Sequence, residues 1–395
     1  MHVSMICCPF KTSFGAYGSA LKAAIEAKTG SAVQWVASNC GCGDSMESGR
    51  HFEATECDYF DMPMPNDFRS NAAWKRQVRG TARDLVVYFR ARRYCSMVKE
   101  PDVVHFQQIL NAYGSKAVFA WLKRCHNAAK VVTVHELDSD QLEHPETNRT
   151  YNFADALLVH CDDMKQHMIR LGVQAERIHI VLHGTKVSAP QENGRREDIV
   201  FYAGHKIMSG KGIETLFQAL AAVRERRPEN FPTLKIHGHY GSVTPPEALQ
   251  LAERYRLTDN IRWLNQVSEE DMVHLYQQSQ LIILPYTGSF AGYAASTAAG
   301  CGLPIVCTRK AGLPDHLGDT AVWIDENDAT QLATRITELL DDVSARREIG
   351  SRLLERATKY LRWDVIADRT LEVYKKAIKH RTEAVEHACE SAATA

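Results

Sequence analysis

Pro285-Tyr286-Thr287-Gly288-Ser289-Phe290-Ala291-Gly292-Tyr293-Ala294-Ala295-Ser296-Thr297-Ala298-Ala299-Gly300-Cys301-Gly302-Leu303-Pro304-Ile305-Val306 is the stretch whose reading decides the fold. A strand ends at Pro285, a glycine-bearing loop opens a helix of small residues, and Gly302-Leu303-Pro304 restarts a strand. Small side chains let the helix lie close to a sheet. Its first N–H groups have no partner within the helix and carry partial positive charge, so the loop and helix start suit an anion. Strand, helix, strand in this order builds a parallel sheet.

The same alternation extends in both directions. Ahead of this stretch, apolar runs predict strands near 198–203, 233–238, 261–264 and 280–285, and beyond it near 304–308 and 321–324. The first half predicts strands near 2–7, 33–37, 102–107, 130–135, 156–160 and 178–182. Between the halves, 188–196 is polar, contains Pro and Gly and lacks apolar periodicity, so a domain boundary is expected there. The expected organisation is α/β, with a doubly wound, Rossmann-like domain over 1–187, a second over 197–362, and a helix over 363–382 that crosses back to the first. Such sheets bind ligands beyond the carboxyl ends of their strands, so two facing each other imply an interdomain cleft. The last stretch, 383–395, is small and polar and is expected to fray.

Length and composition agree with two domains. The chain has 395 residues, 45% of them apolar and 24% charged. Its 47 basic and 48 acidic residues leave a formal charge of −1, which argues against nucleic acid as a partner of the whole chain. Eleven cysteines form an odd set with no regular framework, several inside apolar runs, which points to a reducing, cytoplasmic setting. No charged leader precedes an apolar stretch, and no apolar run reaches the roughly 18 residues of a membrane span, so neither export nor spanning is expected.

Three further motifs carry chemistry. Thr12-Ser13-Phe14-Gly15-Ala16-Tyr17-Gly18 follows the first strand, and its glycines suit either a ligand approaching the backbone or a tight turn. Phe201-Tyr202-Ala203-Gly204-His205-Lys206-Ile207-Met208-Ser209-Gly210-Lys211-Gly212 leads from a strand into a helix with two lysines and a histidine, which can neutralise a diphosphate or simply open a solvated helix. Its spacing is not that of a Walker loop. Val132-Thr133-Val134-His135 ends a strand on a histidine, with Glu136 and Asp138 next in the loop. His237-Gly238-His239 and Cys40-Gly41-Cys42 each lack a second ligand pair at zinc spacing, so no metal is expected. In 75–93, Lys75, Arg76, Arg79, Arg83, Arg90, Arg92 and Arg93 face Asp84 alone, with Trp74 and the apolar run Leu85 to Phe89 interleaved. This basic amphipathic segment suits an anionic membrane surface or a solvated helix equally.

Taken in order, these parts resemble family 4 retaining glycosyltransferases of the GT-B fold over about 1–380. The resemblance implies transfer of a sugar from a UDP- or GDP-linked donor to a glycan or lipid-linked acceptor, in surface polysaccharide or glycolipid synthesis, without metal or other cofactor. It implies catalytic His135 and Lys211. Gly15, Gly18, His205, Lys206, Val267, Ser289, Phe290, Gly292, Tyr293 and Thr297 are implied to bind the donor, Val267 within a base-contacting loop over Leu264–Asp271. Tyr17, Glu136 and Asp138 are implied on the acceptor side, where 75–93 would touch the bilayer from the cytoplasm. The family commonly has Glu at the two positions held here by Ser289 and Thr297, and an arginine whose place is left to His205 or Lys206. The first departure keeps two alternatives open, a non-catalytic binder of sugar nucleotides or glycans and a GT-B sugar-nucleotide epimerase.

Overall fold

Strands covered on both faces read as near-continuous apolar runs rather than alternating ones, as 156–159 and 281–284 of this chain do. The computed structural model describes residues 1–7, 13–37, 58–59, 101–108, 127–135, 151–188, 198–204, 207–208, 210–238, 245–288 and 292–393. It divides into two units. The first comprises Met1–Val159, Lys165–Val181 and Ala367–Ala395, and the second His160–Met164 and Leu182–Ile366. The division thus falls at Val181/Leu182, a few residues ahead of the polar 188–196 segment.

In the first unit, β1 (Val3–Cys7), β2 (Gln34–Ala37), β3 (Asp58–Tyr59), β4 (Val103–Gln107), β5 (Ala129–Val134), β6 (Ala156–Val159) and β7 (Ile178–Ile180) form one sheet in the order β3-β2-β1-β4-β5-β6-β7. Every pairing is parallel. All residues of β4, β5 and β6 are buried. β3 was not expected from sequence, because two residues are too few to show a period.

The second unit repeats the plan with β8 (Asp198–Tyr202), β9 (Leu234–Gly238), β10 (Ile261–Gln266), β11 (Ser279–Leu284), β12 (Ile305–Thr308) and β13 (Val322–Ile324), ordered β10-β9-β8-β11-β12-β13. In each sheet the chain winds outward in one direction, then returns to the middle and winds the other way. The reversal falls between β1 and β4 in the first sheet and between β8 and β11 in the second. Crevices at the carboxyl ends of such strand pairs are where open α/β sheets take ligands.

The terminal helix spans Trp363–Ala393, so the expectation that 383–395 would fray is corrected for most of that stretch. The reason is composition. Glu383-Ala384-Val385-Glu386-His387-Ala388 contains strong helix formers and neither Gly nor Pro, and Glu383 lies 3.8 Å from Lys379 one turn earlier. Gly184 is glycine for a packing reason, since an added Cβ would lie 2.4 Å from the Trp363 ring.

Candidate functional site

Two loops at the switch point of the second sheet are locked together. From the end of β8 the chain passes Gly204, Gly210 and Gly212, with φ of 65°, 66° and 69°, and Gly212 caps the helix Ile213–Arg226. From the end of β11 it reaches Gly292, at φ 84°, which caps the helix Tyr293–Gly300. The amides of Thr287 and Gly288 donate to the Gly210 carbonyl at 2.9 and 3.0 Å. A Cβ on Gly212 would fall 1.9 Å from the Pro285 carbonyl oxygen, so only glycine admits this approach.

Lys211 sits at that junction, buried, with its ammonium 4.1 Å from the Tyr286 ring centroid and 5.5 Å from that of Tyr202. The rings are fixed in turn. The Tyr286 hydroxyl donates to the Tyr202 carbonyl at 3.0 Å, and the Thr308 hydroxyl to the Tyr286 carbonyl at 2.6 Å. Burial lowers the Lys211 pKa to about 7, because the charged form has lost its hydration. A lysine so poised gains its full charge when an anion arrives beside it.

The second helix start is braced from below. A Cβ on Gly292 would meet His316 Nδ1 at 2.7 Å. His316 donates from Nδ1 to the Gly312 carbonyl at 2.7 Å, so its Nε2 is the acceptor for the His183 amide at 3.0 Å. Burial keeps this histidine neutral, with its pKa lowered to about 4. The Tyr293 ring lies 5.0 Å from the His183 ring and 6.1 Å from Tyr202. The Thr297 hydroxyl donates back to the Tyr293 carbonyl at 3.1 Å, so its proton is used within the helix. Val267 is half-buried just past β10 and its amide donates to the Gly238 carbonyl at 3.1 Å. His237 is buried in β9 and pairs through Nε2 with the Tyr276 hydroxyl at 3.1 Å.

In the first unit His135 directly follows β5, at the open end of the sheet beside the β1/β4 switch point. It is buried, its amide donates to Gln108 Oε1 at 2.7 Å, and Tyr17 meets its ring edge-on with centroids 4.8 Å apart. His135 Nε2 donates to Gln107 Oε1 at 3.1 Å, which assigns the ring proton to that nitrogen. The Gln107 amide nitrogen donates onward to His105 Nε2 at 3.4 Å, and the Thr133 hydroxyl lies 2.8 Å from the same atom. His105 Nδ1 then donates to the Tyr374 hydroxyl at 2.6 Å. Burial drives the His105 pKa down to about 3. Gln108 has φ 70°, a conformation that costs a non-glycine residue about 1–3 kcal/mol and tends to mark functional strand ends.

Gly15 and Gly18 lie within the first turns of the helix Ser13–Thr29, neither with a positive φ, and not in the Gly-rich loop that the family resemblance implies. The sequence-based reading offered a ligand's approach to the backbone or a tight turn as the reason for these glycines. At 18 glycine serves packing, since an added Cβ would lie 2.6 Å from Trp35 and 3.0 Å from Gln107. His205, Lys206, Ser289, Phe290, Glu136, Asp138, His239, Cys40, Cys42 and the basic segment 75–93 lie outside the described residues. The structure thus brings Lys211, Gly292, Tyr293 and Thr297 to one end of the second sheet, and Tyr17 and His135 to one end of the first. Sequence reasoning missed Tyr202 and Tyr286, although each is a tyrosine closing an apolar run just ahead of a glycine-bearing loop. It also missed Gln107, Gln108 and His316, whose partners are distant in sequence.

Two family models match the chain: Glycosyltransferase Family 4 over residues 46–188 and Glycosyl transferases group 1 over 196–342. A D-inositol 3-phosphate glycosyltransferase of Corynebacterium efficiens is 26% identical over 312 residues, covering 70% of this chain and 72% of that protein. The corresponding protein of Corynebacterium diphtheriae is 28% identical over 176 residues, 44% of this chain, and the match spans only 41% of its length. An O-antigen chain mannosyltransferase B of Escherichia coli is 32% identical over 126 residues, 32% of this chain and 33% of that protein. Among solved structures, a sucrose-phosphate synthase of Thermosynechococcus elongatus superposes with a TM-score of 0.72 at 18% identity, covering 95% of this chain and 99% of that one. The Anabaena HepE protein in complex with UDP gives 0.69 at 14% identity, covering 95% and 100%.

Proposed function

We propose that this chain, which belongs to the family 4 glycosyltransferases of the GT-B fold, transfers a sugar from a nucleoside-diphosphate sugar to a glycan or lipid-linked acceptor. One observation carries the reading. Two glycine-capped helix starts are stitched at Gly210 around a buried lysine, where a diphosphate would find backbone N–H groups and one ammonium. Negative charge grows on the leaving diphosphate as the glycosidic bond breaks, and preorganised donors aimed at it lower that barrier. Lys211 is the charged group of the set, with His205 or Lys206 as a second. His135, its proton held on Nε2 by Gln107, has Nδ1 as the ring nitrogen that can accept from a sugar hydroxyl. The names of the relatives, which include inositol-phosphate and O-antigen transferases, support a role in glycolipid or polysaccharide synthesis. The UDP held by the Anabaena protein supports a uridine donor. The proposal places the reaction on the cytoplasmic face of a membrane, with 75–93 against an anionic bilayer.

A second reading, a binder without turnover, is favoured by position 297, where a threonine hydroxyl is spent on its own helix and no carboxylate stands. Incubation with UDP-, GDP- and ADP-sugars, with and without lipid-linked glycans, separates the two. Release of nucleoside diphosphate that rises with acceptor supports transfer. Tight donor binding without release under any acceptor establishes the binder instead.

A further inference from the structure

β7 is the last strand of the first sheet, and among the described residues its outer edge pairs with no strand. A groove of about 310 Å³ runs along it, lined by Lys165, His179, Arg369, Glu372 and Lys376 over an apolar floor. Arg369, Glu372 and Lys376 are spaced by three and four residues on the terminal helix, which brings them to one face. Lys165 comes from the helix Asp162–Arg170 and His179 from β7 itself. The cations outnumber the acids by three to one before His179 is counted. Some other cations of this unit are matched, as Lys28 is with Asp368 at 2.5 Å and Lys379 with Glu383 at 3.8 Å. Among the described residues Lys165, Arg369 and Lys376 form no ion pair.

Two observations show that these charges converge. The first is at His179, whose pKa is lowered by burial and then by the positive charges of Lys376 and Lys165, so both fields reach its ring. The second is in the backbone. The Val181 amide donates inward to the Val159 carbonyl at 2.8 Å, and a parallel strand turns alternate amides to alternate sides. His179 therefore points its amide at β6, while the Ile180 amide faces the open edge as an unpaired donor.

We propose that this groove binds a phosphate group, held by Lys165, Arg369 and Lys376 and the Ile180 amide, with His179 beside it. Three cations and one carboxylate leave two positive charges, which matches a phosphate dianion. The volume, at the low end for ligand pockets, admits a phosphate with a small polar substituent. The phosphate can belong to a soluble phosphorylated molecule or to an anionic lipid headgroup, and the chemistry of recognition is the same. This site is independent of the donor loops, which lie in the other unit.

The test uses the full chain with histidine side chains isotopically labelled and nucleoside diphosphate at saturation, so that the donor loops are already filled. The His179 ring resonance is assigned with His179→Gln. Inorganic phosphate, titrated at constant ionic strength against chloride, is expected to shift that resonance saturably with a dissociation constant on the order of 1 mM. The double variant Arg369→Ala/Lys376→Ala is expected to lose the shift and to unfold at the wild-type temperature, since both side chains are exposed. No shift in the wild-type protein, or the same shift in the double variant, overturns the proposal. Vesicles of phosphatidylcholine with and without phosphatidylglycerol then identify the source. Binding to the anionic vesicles that the double variant loses assigns the lipid headgroup, and binding it retains assigns a soluble phosphate.

Discussion

Lys211→Met keeps the stem that packs between Tyr202 and Tyr286 and removes only the charge. If the ammonium holds a diphosphate, the variant loses a charged hydrogen bond worth about 1.5–3 kcal/mol, which is roughly 10- to 150-fold in affinity. The pH dependence makes the test specific. Burial lowers the lysine to about 7 in the free protein. A bound diphosphate favours the ammonium and so raises that value, and by linkage affinity is full below pH 7 and falls by up to tenfold per unit above it. Between pH 6.5 and 8.5 the charged fraction of a group at pKa 7 drops by about 25-fold, and the wild-type affinity for a nucleoside diphosphate should drop with it until the whole contact is gone. Calorimetric titration of both proteins at the two pH values reads this directly, because the variant carries the nucleotide's own titration and cancels it in the ratio. Equal affinities at pH 6.5 would refute the contact. A ratio that stays constant from 6.5 to 8.5 would refute the depressed pKa and the dry, aromatic setting that causes it.

Gly212→Ala combines a left-handed backbone with a Cβ at 1.9 Å from the Pro285 oxygen, whereas Gly30→Ala has a similar φ of 65° and nothing within 4 Å. Urea unfolding should show at least about 2 kcal/mol lost at 212 and about 1 kcal/mol at 30; equal losses would mean the two loops do not touch. Gln107→Leu removes the acceptor of the His135 Nε2 proton. The nitrogen resonances of that ring should move from a single Nε2–H tautomer towards a mixture, and an unchanged spectrum would show that Gln107 does not set it. Folding keeps His105 and His316 neutral down to about 3 and 4, whereas unfolded histidine takes a proton near 6.5. The native state therefore binds fewer protons across that window, and the melting temperature should fall as pH drops from 6.5 to 5, above the carboxylate range. A flat profile there would contradict the burial of both rings.

The central strands were legible because they are covered on both faces, and a run such as Ala156-Leu157-Leu158-Val159, buried throughout, leaves little else to be. The glycine-bearing loops after β8 and β11 were legible as well, since positive φ at 204, 212 and 292 leaves the chain few choices of residue. The same inference does not explain Gly18. A glycine required by a neighbouring ring reads identically to one required by a turn, and only the position of Trp35 tells them apart.

What sequence could not carry is the pairing of polar groups across the fold. His105 and Tyr374 are 269 positions apart, yet they meet at 2.6 Å and close a chain that runs through Gln107 to His135. Each member taken alone is an ordinary polar residue in an apolar run, and the blander reading of a buried histidine wins. Burial makes the set interdependent, because an amide, an imidazole and a phenol removed from water must each find a partner or cost about 1–3 kcal/mol. That cost orients Gln107, and through it decides which nitrogen of His135 faces the strand end. The helix that supplies Tyr374 therefore does more than cover the first sheet. It fixes, from the far end of the chain, the protonation of the residue that sequence alone singled out.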